Sequence, residues 1–575
     1  MADNENPNVT GNMDRLYRTD LSRRALLRLA AGSAAGLSLS ALLAACGGGD
    51  STPTPSGGSG EQGAADSTPT QASDGTPAAD ETPEPAGEGG GVITVAITAP
   101  LQSLDPANHR DRVTETVLRA MFDGLVTRRQ DGEIVPEIAE SWEQIDDTTW
   151  EFKIRSGVTF HNGDPLTAED VRFSLERVAM DGMMDGETSP RQSLLPPIAE
   201  ITAPDDQTVR IVLESPVPEA ILLSGLVHNQ IVPKAYVEEV GGEGLAAKPI
   251  GAGPFKFVEG DVSDRIVLER YDDYYGGSPD MPPVGPAKAD GVVFRVIPEL
   301  SSRLASLKAG DVHIVQNLNV DSARSLRTDP NIVVKSYEGT RTTWLAMNVT
   351  RPPFDNKLVR QAMNYGLDVQ SIIDEVLGGE AVRMTGAVPP FSQFYDDSLQ
   401  PYPYDPDKAK QLLEEAGVGT NFQFVLDAQE PDRAVAEIIV QQYRQLGLDA
   451  SVRIWEWPVL QEATLKGERQ MLLGSWGNSF RHPVDLINPT LMTGGRGNYS
   501  QYSNPELDEL LERGAVASKE EAAEIYKRVQ QILYEDAPWV FLWVPNEVEA
   551  GSAALQNWEP GPDGRELLAD TWLAS

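Results

Sequence analysis

Residues 136–178 run PEIAESWEQIDDTTWEFKIRSGVTFHNGDPLTAEDVRFSLERV and contain the two local patterns on which the fold rests. The first half alternates apolar and polar side chains, as in a strand with one buried face, at Trp150, Phe152 and Ile154. In the second half, Thr167 precedes acidic residues and an apolar stripe at helical spacing, formed by Val171, Leu175 and Val178. The stretch therefore predicts a strand, a turn, and a helix with Thr167 as its N-cap.

The same alternation of strand and helix recurs further along the chain. Residues 422–426 alternate as a strand, a helix follows from about Asp432 to a stop at Gly447, and ASVRIWEW at 450–457 predicts a second strand. Strand, helix and strand in so short a segment form a βαβ unit with parallel strands. We therefore predict a mixed α/β protein of two or three domains, with its ligand site at strand ends or between lobes.

The only cysteine, Cys46, directly follows an uncharged run of Ala, Leu, Gly and Ser. Arg23 and Arg24 precede that run, which is too short and too rich in Gly and Ser for a comfortable membrane span. The segment resembles a twin-arginine export signal that ends in the lipobox of bacterial lipoproteins. The resemblance implies cleavage of residues 1–45 and acylation of Cys46. Met13 is an alternative start that gives a more ordinary signal length.

Residues 46–91 have the composition of a tether. After Cys46 this segment contains Gly, Ser, Thr, Pro, Ala, Gln and acids, with no Lys, Arg, aromatic or large aliphatic residue. Such a chain buries too little apolar surface to offset its conformational entropy. We predict a disordered tether between the anchor and the folded part.

Charge limits the classes of partner. The chain of 575 residues carries 47 basic and 87 acidic residues, a formal net charge of −40. Residues 92–575 hold 42 basic and 75 acidic residues, so this part alone has a net charge of −33. Such a surface repels nucleic acid and anionic lipid. We interpret the acidity as a solvated surface, and a preference for cationic ligands is the weaker alternative.

The sequence lacks the motifs of common enzyme classes. It contains no G-x-S-x-G, no H-E-x-x-H and no G-x-x-x-x-G-K-[ST]. The five histidines have no metal-ligand spacing and stand at His109, His161, His228, His313 and His482. We therefore predict no catalytic residue, no cofactor and no metal site.

Residues 136–178 resemble the signature of the extracellular solute-binding proteins of family 5, the peptide- and nickel-type receptors of ABC importers. Further blocks follow in the family's order over nearly all of 92–575: SLDPA at 103–107, IGAGPFKF at 250–257, ERYDDYYGG at 269–277, LAMNVTRPPFDNKLVRQAMNYGLD at 345–368, YDPDKAKQLLEEAG at 404–417 and EIYKRVQQILYEDAPWVFLW at 524–543. One departure lies at residues 251–255, where G-A-G-P-F replaces the usual G-T-G-P-Y.

The resemblance implies a periplasmic-binding-protein fold of type II, cluster C. It would have two main lobes plus an extra lobe, with the ligand cleft between lobes I and III. The implied bounds are 92–124, 246–344 and 545–575 for a discontinuous lobe I, 125–245 for lobe II, and 345–544 for lobe III. Ligand would be trapped by hinge closure, a two-state equilibrium that a ligand shifts through contacts made better in the closed form.

The implied function is that of an extracytoplasmic receptor, which captures a solute and delivers it to the permease subunits of an ABC importer. Oligopeptide or dipeptide is the default ligand. We expect a monomer on the outer face of the cytoplasmic membrane, held there by the lipid anchor alone. Alternatives are an oligosaccharide, another non-peptide solute or a nickel chelate in the same role, or a secreted hydrolase or chaperone on this scaffold.

One segment is implied to lie at the pocket. In peptide-binding relatives, an Asp a few residues after a Trp in lobe III holds the ligand's ammonium. Counted without gaps from Trp476, that position is Ser479, which cannot neutralise a buried ammonium. Alternatively the alignment is gapped and Asp485 takes the role. Arg481 and His482 follow shortly after Ser479. Arg481 would make a bidentate contact with a ligand carboxylate or phosphate, or it would pair with acidic residues at the rim of the pocket.

Three other tryptophans and one loop complete the predicted site. Trp455 and Trp457 are predicted on one strand face, and Trp344 lies at the entry to lobe III. With Trp476 they form aromatic platforms for a sugar or an apolar side chain, or else they belong to the core. The resemblance also places one lobe I loop at the cleft, made of Ser103, Leu104 and Asp105.

Overall fold

The computed structural model describes residues 89–561 and 564–574, which lie within the compact unit Gly87–Ser575. These residues form a mixed α/β structure, as predicted. The predicted export signal with Arg23 and Arg24, the predicted lipidation site Cys46, and the tether up to residue 88 lie outside the described residues. Among the described residues, no helix has both the length and the apolar character needed to cross a bilayer.

The strands are numbered in chain order. Those before residue 300 are β1 Val92–Ile97, β2 Val126–Arg128, β3 Ile134–Pro136, β4 Ala139–Gln144, β5 Thr149–Ile154, β6 Ile198–Asp205, β7 Thr208–Leu213, β8 Phe255–Asp261, β9 Arg265–Arg270 and β10 Gly291–Val296. The later ones are β11 Ile314–Val315, β12 Ile332–Glu338, β13 Arg341–Met347, β14 Ala381–Arg383, β15 Gln423–Ala428, β16 Asp449–Ile454, β17 Met471–Gly477, β18 Trp539–Ser552, β19 Leu555–Gln556 and β20 Trp572–Leu573.

The α-helices are numbered in the same way. The first seven are α1 Arg112–Leu118, α2 Ala168–Ala179, α3 Glu219–Leu226, α4 Lys234–Ala247, α5 Leu300–Ala309, α6 Val320–Leu326 and α7 Lys357–Tyr365. The others are α8 Val369–Ser371, α9 Pro406–Glu415, α10 Arg433–Leu446, α11 Trp457–Leu465, α12 Pro483–Leu491, α13 Pro505–Gly514 and α14 Lys519–Asp536.

Strand β18 connects the two halves of a twelve-stranded sheet, in the order β16-β15-β17-β13-β18-β11-β1-β10-β9-β8 with β12 and β14 also paired to β18. Residues 539–545 pair with β13 and β14, whereas residues 546–552 pair with β11 and β12. The strand has 14 residues. A single continuous strand therefore carries hydrogen bonds to both halves.

The stretch 136–178 supplies β4 and β5 of a second, four-stranded antiparallel sheet, β4-β5-β7-β6, and the helix α2 that covers it. Trp150, Phe152 and Ile154 are buried in one core with the stripe of α2. At the start of α2, the Asp170 carboxylate accepts hydrogen bonds from the N–H and hydroxyl of Thr167, at 2.9 and 2.8 Å. The predicted strand, helix and N-cap are confirmed.

The predicted βαβ unit is confirmed as β15, α10 and β16, whose strands are parallel. Gly447 ends α10 in the left-handed region at a φ of 108°. The predicted strand face bearing Trp455 and Trp457 is wrong, because β16 ends at Ile454 and Trp457 opens α11. Pro458 explains the difference, since proline favours the first turn of a helix and cannot donate to a sheet ladder.

A buried carboxylate, Glu115 on α1, joins distant parts of the chain. Its Oε1 accepts from Arg119 Nη2 at 3.2 Å and from His228 Nδ1 at 2.6 Å. Its Oε2 accepts from Arg565 Nη2 at 3.0 Å and lies 3.5 Å from Arg191 Nη2. Burial alone would raise the pKa of Glu115, but Arg565, His228 and Arg191 hold it well below its usual range.

A second buried acid, Asp123, has the opposite electrostatic character. Its Oδ2 accepts from the hydroxyls of Tyr274 and Tyr275, at 2.8 and 2.7 Å. Burial raises the pKa of Asp123 to about 7. Burial, and then the charge of Asp123, raise the pKa of Glu137 well above its usual range, although Glu137 Oε2 accepts from the Gly124 N–H at 2.8 Å. Asp123 and Glu137 therefore do not ionise fully together at neutral pH.

Candidate functional site

The 478–482 loop joins β17 to α12, and hydrogen bonds to Asp485 hold it in place. The Asp485 carboxylate accepts a hydrogen bond from the Phe480 N–H at 3.2 Å and another from the Ser479 N–H. Its backbone carbonyl accepts from the Trp476 indole N–H at 3.1 Å. Burial raises the pKa of Asp485 to about 6, although the hydrogen bonds from the Phe480 and Ser479 N–H groups to its carboxylate lower the pKa. Asp485 therefore holds the turn, and Ser479 is exposed at its tip.

Arg481 links this loop to the turn between β2 and β3. Its backbone is left-handed, with a φ of 52°, and its carbonyl accepts from the Gln393 N–H at 2.7 Å. The guanidinium lies 5.6 Å from the ring centre of Phe391 and so close to Gly132 that a Cβ there would collide with it. Burial raises the pKa of Glu338, and the charge of Arg481 opposes that shift. Arg481 therefore packs between three separate segments.

His482 faces the other way and is only 2 % exposed. Its Nδ1 accepts from the Val484 N–H at 3.2 Å, so the side chain is the N-cap of α12. Phe394 and Tyr526 contact the ring edge to face, with centroids at 5.4 and 5.3 Å. Burial lowers the pKa of His482 to about 4, which keeps the imidazole neutral. Because Nδ1 is an acceptor, the hydrogen-bond pattern assigns the proton to Nε2.

A cavity of about 450 Å³ opens beside His482. The first wall consists of Gln144, Asp147 and residues 216–220. The second wall consists of Gln393, Phe394, His482, Gly514, Val516, Ala517, Ser518, Lys519 and Ala522. Val217 packs on the core of the four-stranded sheet, whereas Phe394 and Ala522 belong to the core around β13 and α14. The first wall lies within the bounds implied for lobe II and the second within those implied for lobe III, so this cavity is separate from the implied cleft between lobes I and III.

Residues 133–498 match the sequence model of the bacterial extracellular solute-binding proteins, family 5. The chain belongs to this family. Proteins of family 5 are extracytoplasmic solute receptors and not enzymes. The match confirms the resemblance drawn from residues 136–178 and the receptor function that it implied.

Named relatives agree with this assignment. Heme-binding protein A of Haemophilus influenzae is 30% identical over 436 residues, which cover 71% of this chain and 78% of that protein. The glutathione-binding protein GsiB of Pectobacterium atrosepticum is 27% identical over 486 residues, covering 82% and 91%.

Solved structures show the same fold. DppA of Helicobacter pylori, an ABC transporter-associated periplasmic binding protein in complex with the peptide STSA, has a TM-score of 0.64. It is 29% identical to this chain, of which it covers 85%, and 99% of its own chain is covered. HbpA2 of Haemophilus parasuis, at 24% identity and a TM-score of 0.76, covers 84% of this chain and is itself covered over 99%. The predicted fold class of the family 5 receptor is confirmed.

The structure of this family 5 receptor places two of its predicted tryptophans away from the cavity. Trp344 is fully buried and stacks on Trp539, with ring centres 4.5 Å apart and an interplanar angle of 11°. The Trp455 indole N–H donates to Asp427 at 2.7 Å, and Arg469 lies 4.4 Å from its ring centre. Both indoles have packing roles, and their contact with ligand stays a prediction.

The remaining two tryptophans pack against other side chains. Trp457 meets Tyr499 edge to face at 5.8 Å. Trp476 lies under the guanidinium of Arg496, which is 4.6 Å from its ring centre. Both are partly buried, and neither is among the residues that line the cavity beside His482.

The predicted lobe I loop is buried. Ser103, Leu104 and Asp105 are 8 %, 3 % and 1 % exposed. Arg177 on α2 binds the Asp105 carboxylate through two nitrogens, at 3.1 and 2.5 Å, and the Ala107 N–H donates to it at 3.0 Å. The Asp105 carboxylate therefore has a structural partner, and contact of this loop with ligand stays a prediction.

The sequence analysis missed most of the cavity lining. Of the predicted residues, His482 is the one that lines the cavity in the described part of the chain. Asp147, Glu219 and Lys519 are the charged residues of the two walls, and none was predicted as a site residue. Ser518 is the N-cap of α14, but a capping pattern locates a helix start and not its neighbours.

Proposed function

We propose that this receptor serves an ABC importer and captures a peptide-type solute in the cleft between lobes I and III. The family match over residues 133–498, together with a relative solved with a bound peptide, is the observation that carries the proposal. A ligand held by both lobes favours the arrangement in which the lobes face each other, so binding and closure are coupled. The closed form then presents a surface that the permease can distinguish from the open one.

The relatives favour a short peptide. The relatives named above bind heme, glutathione and a peptide. An oligosaccharide is less favoured, because Trp344 stacks on Trp539 in the core and the Trp455 indole donates to Asp427.

Ligand-dependent stabilisation tests this function. We expect a randomised tri- and tetrapeptide library to stabilise the purified full-length protein, by about 2.7 kcal/mol where a binding peptide is present at 100 times its Kd. Thermal unfolding gives the stabilisation, and native mass spectrometry gives the mass of the bound component. Free amino acids serve as the control. Stabilisation by oligosaccharides or by nickel–histidine alone would show that the peptide class is wrong.

We further propose a division into three lobes. Lobe I would consist of residues 92–124, 246–344 and 545–575, lobe II of residues 125–245, and lobe III of residues 345–544. The four-stranded sheet within 139–213 has its own hydrophobic core, which supports the division of lobe II. The core around β15, α10 and β16 gives the same support for lobe III. We propose that the receptor acts as a monomer.

We also propose that a lipid on Cys46 anchors the receptor after twin-arginine export, with residues 46–91 as the tether. A tether of that composition keeps the receptor near the permease at high effective concentration. In the native host, we expect Cys46→Ser to move the protein from the membrane fraction to the soluble fraction. Ser51→Ala is the matched control within the same segment. Unchanged membrane association of Cys46→Ser would contradict the anchor.

A further inference from the structure

Two glutamates, Glu549 on β18 and Glu566 in the C-terminal segment, are buried side by side. Each residue is only 3 % exposed. A hydrogen bond joins their carboxyl groups. Two ionised carboxylates in contact would repel each other, so this hydrogen bond requires a proton. The pair therefore carries at least one proton.

The hydrogen-bond pattern assigns that proton to Glu549. Its Oε1 accepts from the Tyr337 hydroxyl at 2.7 Å, whereas its Oε2 is buried and accepts from no N–H or hydroxyl in the part of the chain that the structure describes. Both oxygens of Glu566 already accept, from Gln316 Nε2 and from the Trp558 indole N–H, each at 3.1 Å. The Oε2–H of Glu549 therefore donates to Glu566.

The charged groups around the pair are held in ion pairs of their own: Lys335 with Glu559, Arg565 with Glu115, and Arg112 with Glu547. Burial raises the pKa of Glu566, although its hydrogen bonds lower it. Burial, and then the charge of Glu566, raise the pKa of Glu549 well above its usual range, and Glu547 adds to this shift. The pair therefore keeps its proton at neutral pH.

Glu566 also lines a cavity of about 80 Å³, which has room for several water molecules. Residues 566–570 form one wall of this cavity, and the other titratable groups on its walls are Arg119, Asp123, Glu137, Tyr274 and Asp570. Through the cavity, a proton can reach Glu566 without an opening of the core. The pair is therefore placed to respond to the pH of the medium.

The two partners differ in how firmly the backbone holds them. Strand β18 lies inside the twelve-stranded sheet and is paired with neighbouring strands on both of its sides. Residues 564–574 contribute the two-residue strand β20 to a ladder with β19, and they form backbone hydrogen bonds with Lys288, Gly90 and Ala554. Repulsion between the two glutamates is therefore relieved by movement of residues 564–574 rather than of β18.

We propose that this shared proton is a pH-sensitive switch: with the proton in place residues 564–574 stay bound to β18, and without it, at alkaline pH, they detach. When the proton leaves, two carboxylates face each other in a buried site whose hydrogen-bond donors are neutral. Detachment of the segment allows water to solvate Glu566. The inference goes beyond the proposed function, because the switch acts whatever ligand the receptor binds.

Hydrogen exchange of the purified full-length protein, measured at pH 6 and pH 9 and corrected for intrinsic rates, tests the switch. In wild type, we expect the amides of residues 564–574 to lose protection by at least about tenfold at pH 9, while those of β18 keep theirs. Glu549→Gln keeps an oxygen for the Tyr337 hydroxyl and donates a permanent N–H to Glu566. We expect this variant to keep residues 564–574 protected at pH 9.

Glu259→Gln, at an exposed position on β8, is the matched control and should behave as wild type. Infrared spectroscopy gives an independent readout, because wild type at pH 7 should show the C=O stretch of one protonated carboxyl group that Glu549→Gln lacks. Unchanged protection of residues 564–574 in wild type at pH 9, or a loss that β18 shares, would overturn the switch. Equal loss in Glu549→Gln would also overturn it and would assign the opening to Asp123 and Glu137.

Discussion

Replacing Glu115 with Gln is expected to lower the free energy of unfolding by about 3 to 5 kcal/mol at pH 7. The Glu115 carboxylate is buried and is shared by the guanidiniums of Arg119, Arg191 and Arg565. Gln is nearly isosteric, so the loss measures charge and hydrogen bonding more than packing. Three arginines would then lose their common counter-charge in a largely buried site.

The lowered pKa of Glu115 determines how the stability difference between wild type and Glu115→Gln changes with pH. A carboxyl whose pKa is depressed on folding contributes stability above its unfolded pKa, which is about 4.5, and loses that contribution as the pH falls further. The difference between wild type and Glu115→Gln should therefore be constant near neutral pH and narrow below about pH 4.5. Urea unfolding at pH 3.5, 5 and 7 measures it.

A surface pair provides the control. Glu462 and Lys466 form an exposed i,i+4 pair at 2.6 Å, and Glu462→Gln should leave the free energy of unfolding nearly unchanged. If Glu115→Gln cost as little as this control, the buried cluster would not hold the chain together. A large effect at pH 7 that persisted unchanged at pH 3.5 would assign the loss to packing instead.

Replacing Asp123 with Asn is expected to do the reverse and to stabilise the protein at alkaline pH. The pKa of Asp123 is about 7 in the folded state, against an ordinary value of 3.8. A raised pKa means that its contribution to stability is complete below about pH 3.8, falls as the pH rises, and is lost above about 7. Asn stays neutral and avoids that loss. The gain should reach about 2 to 4 kcal/mol at pH 8.

The hydrogen bonds of Asp123 allow this substitution. One oxygen accepts from both tyrosine hydroxyls, and the amide oxygen of Asn offers the same acceptor. Urea unfolding between pH 4 and pH 8 should show little difference at pH 4, an advantage for Asn that grows from about pH 4 to pH 7, and a constant advantage above pH 7. Asp131→Asn, at an exposed turn, is the control. A variant that is equally stable or less stable than wild type at pH 8 would contradict the prediction.

Local patterns in the sequence predicted the elements whose boundaries depend on local chemistry. Thr167 and Gly447 determine where helices begin and end through their own hydrogen bonds and backbone conformation, so pattern and structure agree there. The boundary after β16 was missed because period-two alternation continues through Trp457, although Pro458 lies in the first turn of a helix. At that position, the preference of Pro458 for the first turn of a helix outweighed the period-two alternation.

The charged clusters and the cavity could not be predicted from sequence patterns. Arg565 contacts Glu115 across 450 residues, and no periodicity relates two such positions. The first wall of the cavity is likewise far in sequence from Lys519 and meets it only through the tertiary fold. The family resemblance located His482, but it did not indicate that Glu219 would lie on the opposite wall.

The continuity of β18 has a mechanical consequence. Its ladder partners change near Pro545, which has no N–H to donate. A rotation of one half of the large sheet against the other must twist this strand about its own axis, because both halves are bonded to it. We expect β18 to resist this twist elastically. After each release of ligand, the strand would then return the two halves of the sheet to one resting angle.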